Sequence, residues 1–292
     1  MGISEDLWQQ EAINLSLGAR SLVVAPGQGA RIVSLSLDGE QMLTQPQTHP
    51  ANYGSTFWDA PQSAWDWPPR AALDSLPYRS CRDGRGQALL GPVDAESGLQ
   101  CYKRFAVDAE RGCFVIEYRL RNSGTSSCRT APWELTRVPG GLSFFPVSAA
   151  AGLPESALAP TLERDGVCWY RFAEGDFKVG RKLFRAGREG WLAHLLPGGL
   201  LLIKSFPEIE AGEQAPGHGS VELWGQDGGI YVELENHGRY QRLAPGESLG
   251  YRVCWFIERL PADLDVGPGS VALLEFVRGC LARRTFNPSG PA

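Results

Sequence analysis

The chain has 292 residues, 43% of them hydrophobic and 21% charged, with a net charge of −5 at pH 7 and a pI near 5.5. This is the composition of a globular protein. It lacks the basic footprint of a nucleic-acid binder, and no apolar run approaches the roughly 18 residues of a membrane helix. Seven cysteines, an odd number with no CxxC pair, read as reduced, mostly buried cytosolic thiols.

Along the chain, Met1 to Gln10 contains Glu5 and Asp6 and no apolar core, so no signal peptide is expected and a cytoplasmic location follows. With 35 glycines and 21 prolines, turns are frequent and long helices few. Gly27-Gln28-Gly29 lacks the third glycine of a dinucleotide loop. Val33, Leu35 and Leu37 precede an Asp38-Gly39 turn, a hairpin signal.

The segment Gly54–Pro69, GSTFWDAPQSAWDWPP, places Trp58, Trp65 and Trp67 close together. It shows neither helical periodicity nor clean alternation, and its prolines oppose a helix or central strand. Asp59, Gln62, Ser63 and Asp66 lie between the rings. Flat apolar faces beside short donors and acceptors suit a sugar, although indoles also plug cores. Trp58 and Trp65, beside polar neighbours, are assigned to a cleft; Trp67, before Pro68-Pro69, is assigned to a plug.

Phe114, Ile116, Tyr118 and Leu120 alternate with Glu117, Arg119 and Arg121 as a half-buried strand. In Ala131–Gly141, APWELTRVPGG, a ring (Trp133), an acid (Glu134) and a fixed cation (Arg137) come together before a turn. Arg137 can grip a carboxylate or phosphate, or simply pair with Glu134. Ala149–Pro160 is the best candidate break, joining two halves of one β-structure. Leu200–Ile203 reads as a strand buried on both faces, with Lys204 at its end entering a site or reaching the edge.

In Gly229–Ser248, Tyr231, Glu233 and Glu235 share one strand face, alternating with Val232 and Leu234. Two carboxylates so close repel, and in a cleft one would hold its proton and serve acid–base chemistry; otherwise both face water. His237 follows near a turn. Leu249 to Ile257 alternates again, and a helix is expected over 271–284, capped by Ser270, with Val271, Leu274, Val277 and Leu281 as its apolar stripe, packed outside the sheet. The tail from Asn287 is expected to be loose. Histidines 49, 194, 218 and 237 form no HxH or HExxH pair, so no metal is expected. No GxxxxGK[ST] or GxSxG occurs, and no cofactor is expected. The pattern as a whole reads as all-β, a sandwich or barrel in one domain.

These windows resemble the galactose-mutarotase-like superfamily, in particular its DUF4380 branch. The carrying residues are Gly29–Leu35, the PQSAW and WPP elements of Trp58–Pro69, APWELTRV at 131–138, and YVELE…LAPGES at 231–248, within roughly residues 18 to 260. The resemblance implies a β-supersandwich of two large twisted antiparallel sheets, one lining an open carbohydrate cleft. It implies aldose 1-epimerase-type chemistry on a hemiacetal, by a glutamate base and a histidine acid. The glutamate maps onto Glu233 or Glu235, with Glu235 preferred. The mid-chain histidine has no match, since that region reads Trp133-Glu134-Leu135, and the early asparagine–histidine motif is missing unless His49 or Asn52 replaces it. The acid is then Glu134, Lys204 or His237. The alternatives are a sugar-binding protein without turnover and a mutarotase-like cleft recruited to lyase or cyclase chemistry. The substrate-binding set is Trp58, Trp65, Trp133, Arg137, Lys204 and Tyr231, and the partner a small molecule, a carbohydrate.

Overall fold

The computed structural model describes residues 12–82, 87–149, 152–172, 180–226 and 230–283. The alternating windows become strands, and every strand pairing is antiparallel. In the first sheet the spatial order is β1 (Ile13–Leu17), β2 (Arg20–Ala25), β3 (Arg31–Leu37), β5 (Ser55–Ala60), β10 (Cys128–Val138), β18 (Val232–His237), β17 (Val221–Gly225) and β14 (Arg181–Gly187). The short β4 (Glu40–Gln41) closes the Asp38-Gly39 hairpin, and β19 (Gln241–Leu243) pairs with the start of β10. The second sheet runs β6 (Arg79–Arg82), β7 (Gln87–Val93), β8 (Leu99–Asp108), β9 (Cys113–Asn122), β20 (Ser248–Arg259), β16 (Leu200–Ser205), β15 (Trp191–Leu195), β11 (Gly141–Ser148), β13 (Val167–Phe172) and β12 (Leu162–Arg164). The expected break thus joins β11 to β12 within one sheet.

The two sheets face each other across one apolar layer that includes Leu35, Phe57, Ile116, Leu202, Leu234 and Val253. Phe57 of the first sheet stacks on Tyr118 of the second at 4.1 Å, nearly parallel. A second apolar cluster covers the outer face of the second sheet, where Trp169, Trp191, Ile203 and Phe256 meet helix α2 (Val271–Ala282), the counterpart of a one-turn α1 (Ala71–Asp74) elsewhere. Strand β16 is therefore buried on both faces: Leu200 and Leu202 enter the interlayer, while Leu201 and Ile203 meet the helix side. This accounts for its continuous apolar run. Ser270 caps α2, its hydroxyl accepting from Leu273 N–H at 3.1 Å. The buried face differs from the expected stripe. It centres on Leu273, Val277 and Cys280, with Leu274 and Leu281 half-buried and Val271 exposed. Arg284 lies outside the described residues. The first half of the tryptophan segment is a strand, β5, buried throughout because it is central; the prolines begin only after it.

Glu134 and Lys204 sit in the interlayer, not in a cleft. On β10 the pleat sends Trp133 and Leu135 to the outer face and Glu134 to the inner one. There its carboxylate meets Lys204 Nζ of the opposite sheet at 2.9 Å and accepts from Tyr118 Oη at 2.7 Å; neither charged side chain has exposed surface. Lys204 also donates to Thr136 Oγ1 at 2.8 Å. Burial lowers the Lys204 pKa, opposed by Glu134. The pair is therefore a tie between the sheets and not the cleft acid and substrate contact that the sequence suggested. Removing one partner strands a buried charge, so Lys204→Ala should cost about 3–5 kcal/mol in urea unfolding. The double variant Glu134→Gln/Lys204→Met, which keeps an acceptor for Tyr118, should recover most of that loss.

Candidate functional site

Among the described residues no long helix packs on the outer face of strands β5, β10, β18, β17 and β14, and alternation fixes which side chains emerge there. The cross-strand register lines up Trp58, Trp133 and His237 across β5, β10 and β18. Arg137 is set opposite Glu233, Glu235 opposite Glu222, and Lys182 opposite Trp224. The five strands floor a cavity of about 360 Å³. Its aromatic wall is Trp58, Trp67, Trp133, Trp224 and Tyr231; its polar groups are Asn52, Gln62, Lys182, Gln226, Glu233 and Glu235. Trp58 and Trp133 meet edge to face at 5.1 Å.

The charges are arranged unevenly. Glu222 and Glu235, directly opposite on neighbouring strands, would repel if both ionised. Lys182 stands between them, its Nζ at 2.5 Å from Glu222 Oε2 and 2.9 Å from Glu235 Oε2. One ammonium neutralises one carboxylate. Glu222 has the stronger set of donors: its Oε1 also accepts from Gly219 N–H at 2.7 Å and from His218 Nδ1 at 3.0 Å. Burial opposes its ionisation, but Lys182, His237 and His218 outweigh burial and hold its carboxyl well below the usual range. Glu235 is left with two donors on a single oxygen, Lys182 and Trp133 Nε1 at 2.7 Å, and its Oε1 has no partner among the described residues. Burial, opposed by Lys182 and reinforced by Glu222 and Glu233, pushes the Glu235 carboxyl up to about 8. Glu233 instead pairs with Arg137, Nε to Oε1 at 2.8 Å, while Arg137 Nη1 donates to Thr56 Oγ1 at 3.0 Å.

Trp58, Trp133, Tyr231, Glu233 and Glu235 therefore share one cavity. Arg137 is buried beneath Glu233 and committed to it, so it does not grip a ligand, and it faces away from Glu134. His237 does not line the cavity. It stacks on Trp133 at 5.1 Å beside Glu222, and burial, opposed by Glu222, lowers its pKa to about 4. The two tryptophan assignments exchange places. After Pro61 a tight turn at Gln62–Ala64 buries Trp65 behind Trp58 and Trp133, where its Nε1 donates to Asp59 O at 3.0 Å, while Trp67 swings to the cavity rim and is 62% exposed. Asn52 lines the cavity, whereas His49 stands edge-on to Tyr231 at 6.0 Å.

Sequence reasoning missed Lys182, Glu222 and Trp224. The pattern was present: VELW at 221–224 alternates just as VELE does at 232–235. His218, Glu222 and His237 also converge, with ligand atoms within 4.8 Å of one another. The hydrogen bonds disfavour a metal there. Gln62 N–H donates to His218 Nε2 at 3.1 Å, which leaves the proton on Nδ1, facing Glu222. A cation between them would have to displace that proton beside the Lys182 ammonium.

The fold is a galactose-mutarotase-like β-sandwich. A galactose mutarotase-like protein from Lactobacillus casei shares 10% identity, with a TM-score of 0.58 over 85% of this chain and 100% of its own. A candidate aldose 1-epimerase from Escherichia coli K12 shares 15%, with a TM-score of 0.56 over 86% of this chain and 99% of its own. A TPR-domain containing protein from Parabacteroides distasonis reaches a TM-score of 0.63 at 16% identity over 88% of this chain, which spans 49% of that longer one. No family model matches the sequence, and no curated protein does. No helix among the described residues is long and apolar enough to cross a membrane.

The raised Glu235 carboxyl has a consequence for stability. A folded-state pKa above the ordinary 4.5 means stability fully present below that value and lost as pH rises through about 8. Glu235→Gln has no such proton to lose. Urea midpoints measured at about pH 5, 7 and 9 should move in the variant's favour, relative to wild type, with rising pH.

Proposed function

We propose that the cavity binds a sugar and interconverts its anomers by acid–base catalysis between Glu235 and Glu233. The carrying observation is that two carboxyls on one face of β18 have unlike surroundings: Glu233 faces a guanidinium, while Glu235 is buried and shares its ammonium with Glu222. Such inequality suits one group to give a proton and the other to take one. In ring opening, Glu233 accepts the proton of the anomeric hydroxyl as the C1–O1 bond becomes a carbonyl. The C1–O5 bond breaks, and Glu235 donates its proton to the ring oxygen. Rotation about C1–C2 and reversal of these steps give the other anomer. The acid role of Glu235 replaces the base role expected from the family resemblance, because burial keeps its proton on near neutral pH. Lys182 and Glu222 act as positioning residues. Indole faces supply apolar surface for the sugar C–H face, and Asn52, Gln62 and Gln226 supply hydroxyl partners.

The finer assignment to the DUF4380 branch rests on the short motifs at 29–35, 58–69, 131–138 and 231–248. A reducing cytoplasmic setting suits the buried thiols Cys101, Cys113, Cys168, Cys254 and Cys280. Binding without turnover is favoured by one observation: among the described residues, no histidine lines the cavity.

Anomer exchange followed by NMR across a panel of aldoses separates the two readings. Catalysis should accelerate exchange, with kcat/KM falling as pH rises through about 8, and Glu235→Gln should lower kcat about 10²–10⁴-fold with a smaller change in KM. Saturable binding with no acceleration at any pH would leave only the binding role.

A further inference from the structure

The cavity's fixed charges are already matched within the protein. Arg137 is spent on Glu233 and Thr56, and Lys182 lies between Glu222 and Glu235. A phosphate or carboxylate entering here would find no unshared cation among the described residues and would lie against two acidic side chains. Such a cavity selects an uncharged ligand.

Trp67 adds a second constraint. It lines the cavity and meets Trp58 edge to face at 6.0 Å, yet 62% of its surface is exposed, the largest exposure among the described large hydrophobic residues apart from Val271 at 64%. Its loop is tied down on both sides. Trp65 Nε1 donates to Asp59 O at 3.0 Å, and Arg70 donates to Ala64 O at 3.0 Å, to Asp59 Oδ2 at 3.3 Å and to Asp94 Oδ2 at 3.1 Å. The arginine sits one residue beyond the Pro68-Pro69 pair, so the indole is carried on an anchored loop at the rim, where it extends the aromatic wall outward.

Resting on the proposed sugar reading, we infer that the ligand is an uncharged saccharide of at least two rings, its reducing ring in the cavity beside Glu235 and its next ring stacked on Trp67. The buried part of the site then meets the hemiacetal, and the exposed part meets the extension.

The test is binding, read by tryptophan fluorescence and calorimetry on the intact protein. The probes are glucose, galactose, maltose, cellobiose, lactose and glucose 6-phosphate. At least one disaccharide should bind more tightly than either monosaccharide, and glucose 6-phosphate should bind most weakly. Trp67→Ala should weaken that disaccharide about tenfold more than it weakens the monosaccharides, while Trp67→Phe, which keeps a stacking face, should recover most of the difference. Equal losses for one and two rings, tighter binding of glucose 6-phosphate, or no binding by any of the six would overturn the inference. Anomer exchange is followed separately on the same sugars. Disaccharide binding without anomer exchange would sink the catalytic reading alone, whereas exchange confined to monosaccharides would sink the two-ring ligand alone.

Discussion

A single ammonium between two buried carboxylates sets the character of the site. Glu222 and Glu235 face each other across β17 and β18, and Lys182 reaches both from β14. Three charges in a low-dielectric pocket cannot all be satisfied, so the outcome depends on the remaining donors. Glu222 collects a backbone N–H and a histidine N–H in addition to Lys182. Glu235 collects one indole N–H and leaves an oxygen without a partner among the described residues. The second carboxyl therefore holds its proton because the first is better solvated by the protein. His218 and Gly219, which never touch the cavity, thereby influence the group that does.

The same pleat separates two polar systems that would otherwise interfere. On β10, Trp133 and Arg137 face outward, while Glu134 and Thr136 face the interlayer. Glu134–Lys204 ties the sheets together, and Arg137–Glu233 organises the cavity. Each pair is closed by its own hydrogen bonds, with the backbone of one strand between them. A one-residue slip of β10 would exchange these faces, burying Arg137 against the leucines and exposing Glu134. Both ion pairs oppose that slip, so the two networks reinforce a single register.

The fold was legible because burial imposes periodicity. β9, β20 and the VELE strand were readable from alternation, β16 from its two-sided apolar run, and α2 from its cap, although its buried face is turned from the expected stripe. The site was half legible. Glu233, Glu235, Tyr231, Trp58 and Trp133 carry short-range signals, and alternation placed the first three on one face. Glu222 carries only the alternation of VELW, and Lys182 carries no such signal, since its meaning comes from strand neighbours distant in sequence. The window around Trp133 misled for a local reason: residues adjacent in a strand point apart, so Glu134 and Arg137, close in sequence, occupy opposite sides of the sheet. Trp65 and Trp67 exchanged roles because the turn after Pro61 resets the alternation that β5 established.

Similarity of 10–16% to proteins of the same fold follows from this division of labour. The interlayer requires apolar side chains at inward positions of β5, β10, β18 and β17, and many combinations of Val, Leu and Phe satisfy it. Nothing in that requirement constrains the outward positions of the same strands. At one such outward position Trp133 donates its indole N–H to Glu235, and its ring covers His237. The indole takes up space and a hydrogen bond that an imidazole could have used, and in the same step it removes Glu235 from water. Any acid–base chemistry proposed for this cavity therefore rests on the outward side chains Glu235 and Lys182 and not on the fold that carries them.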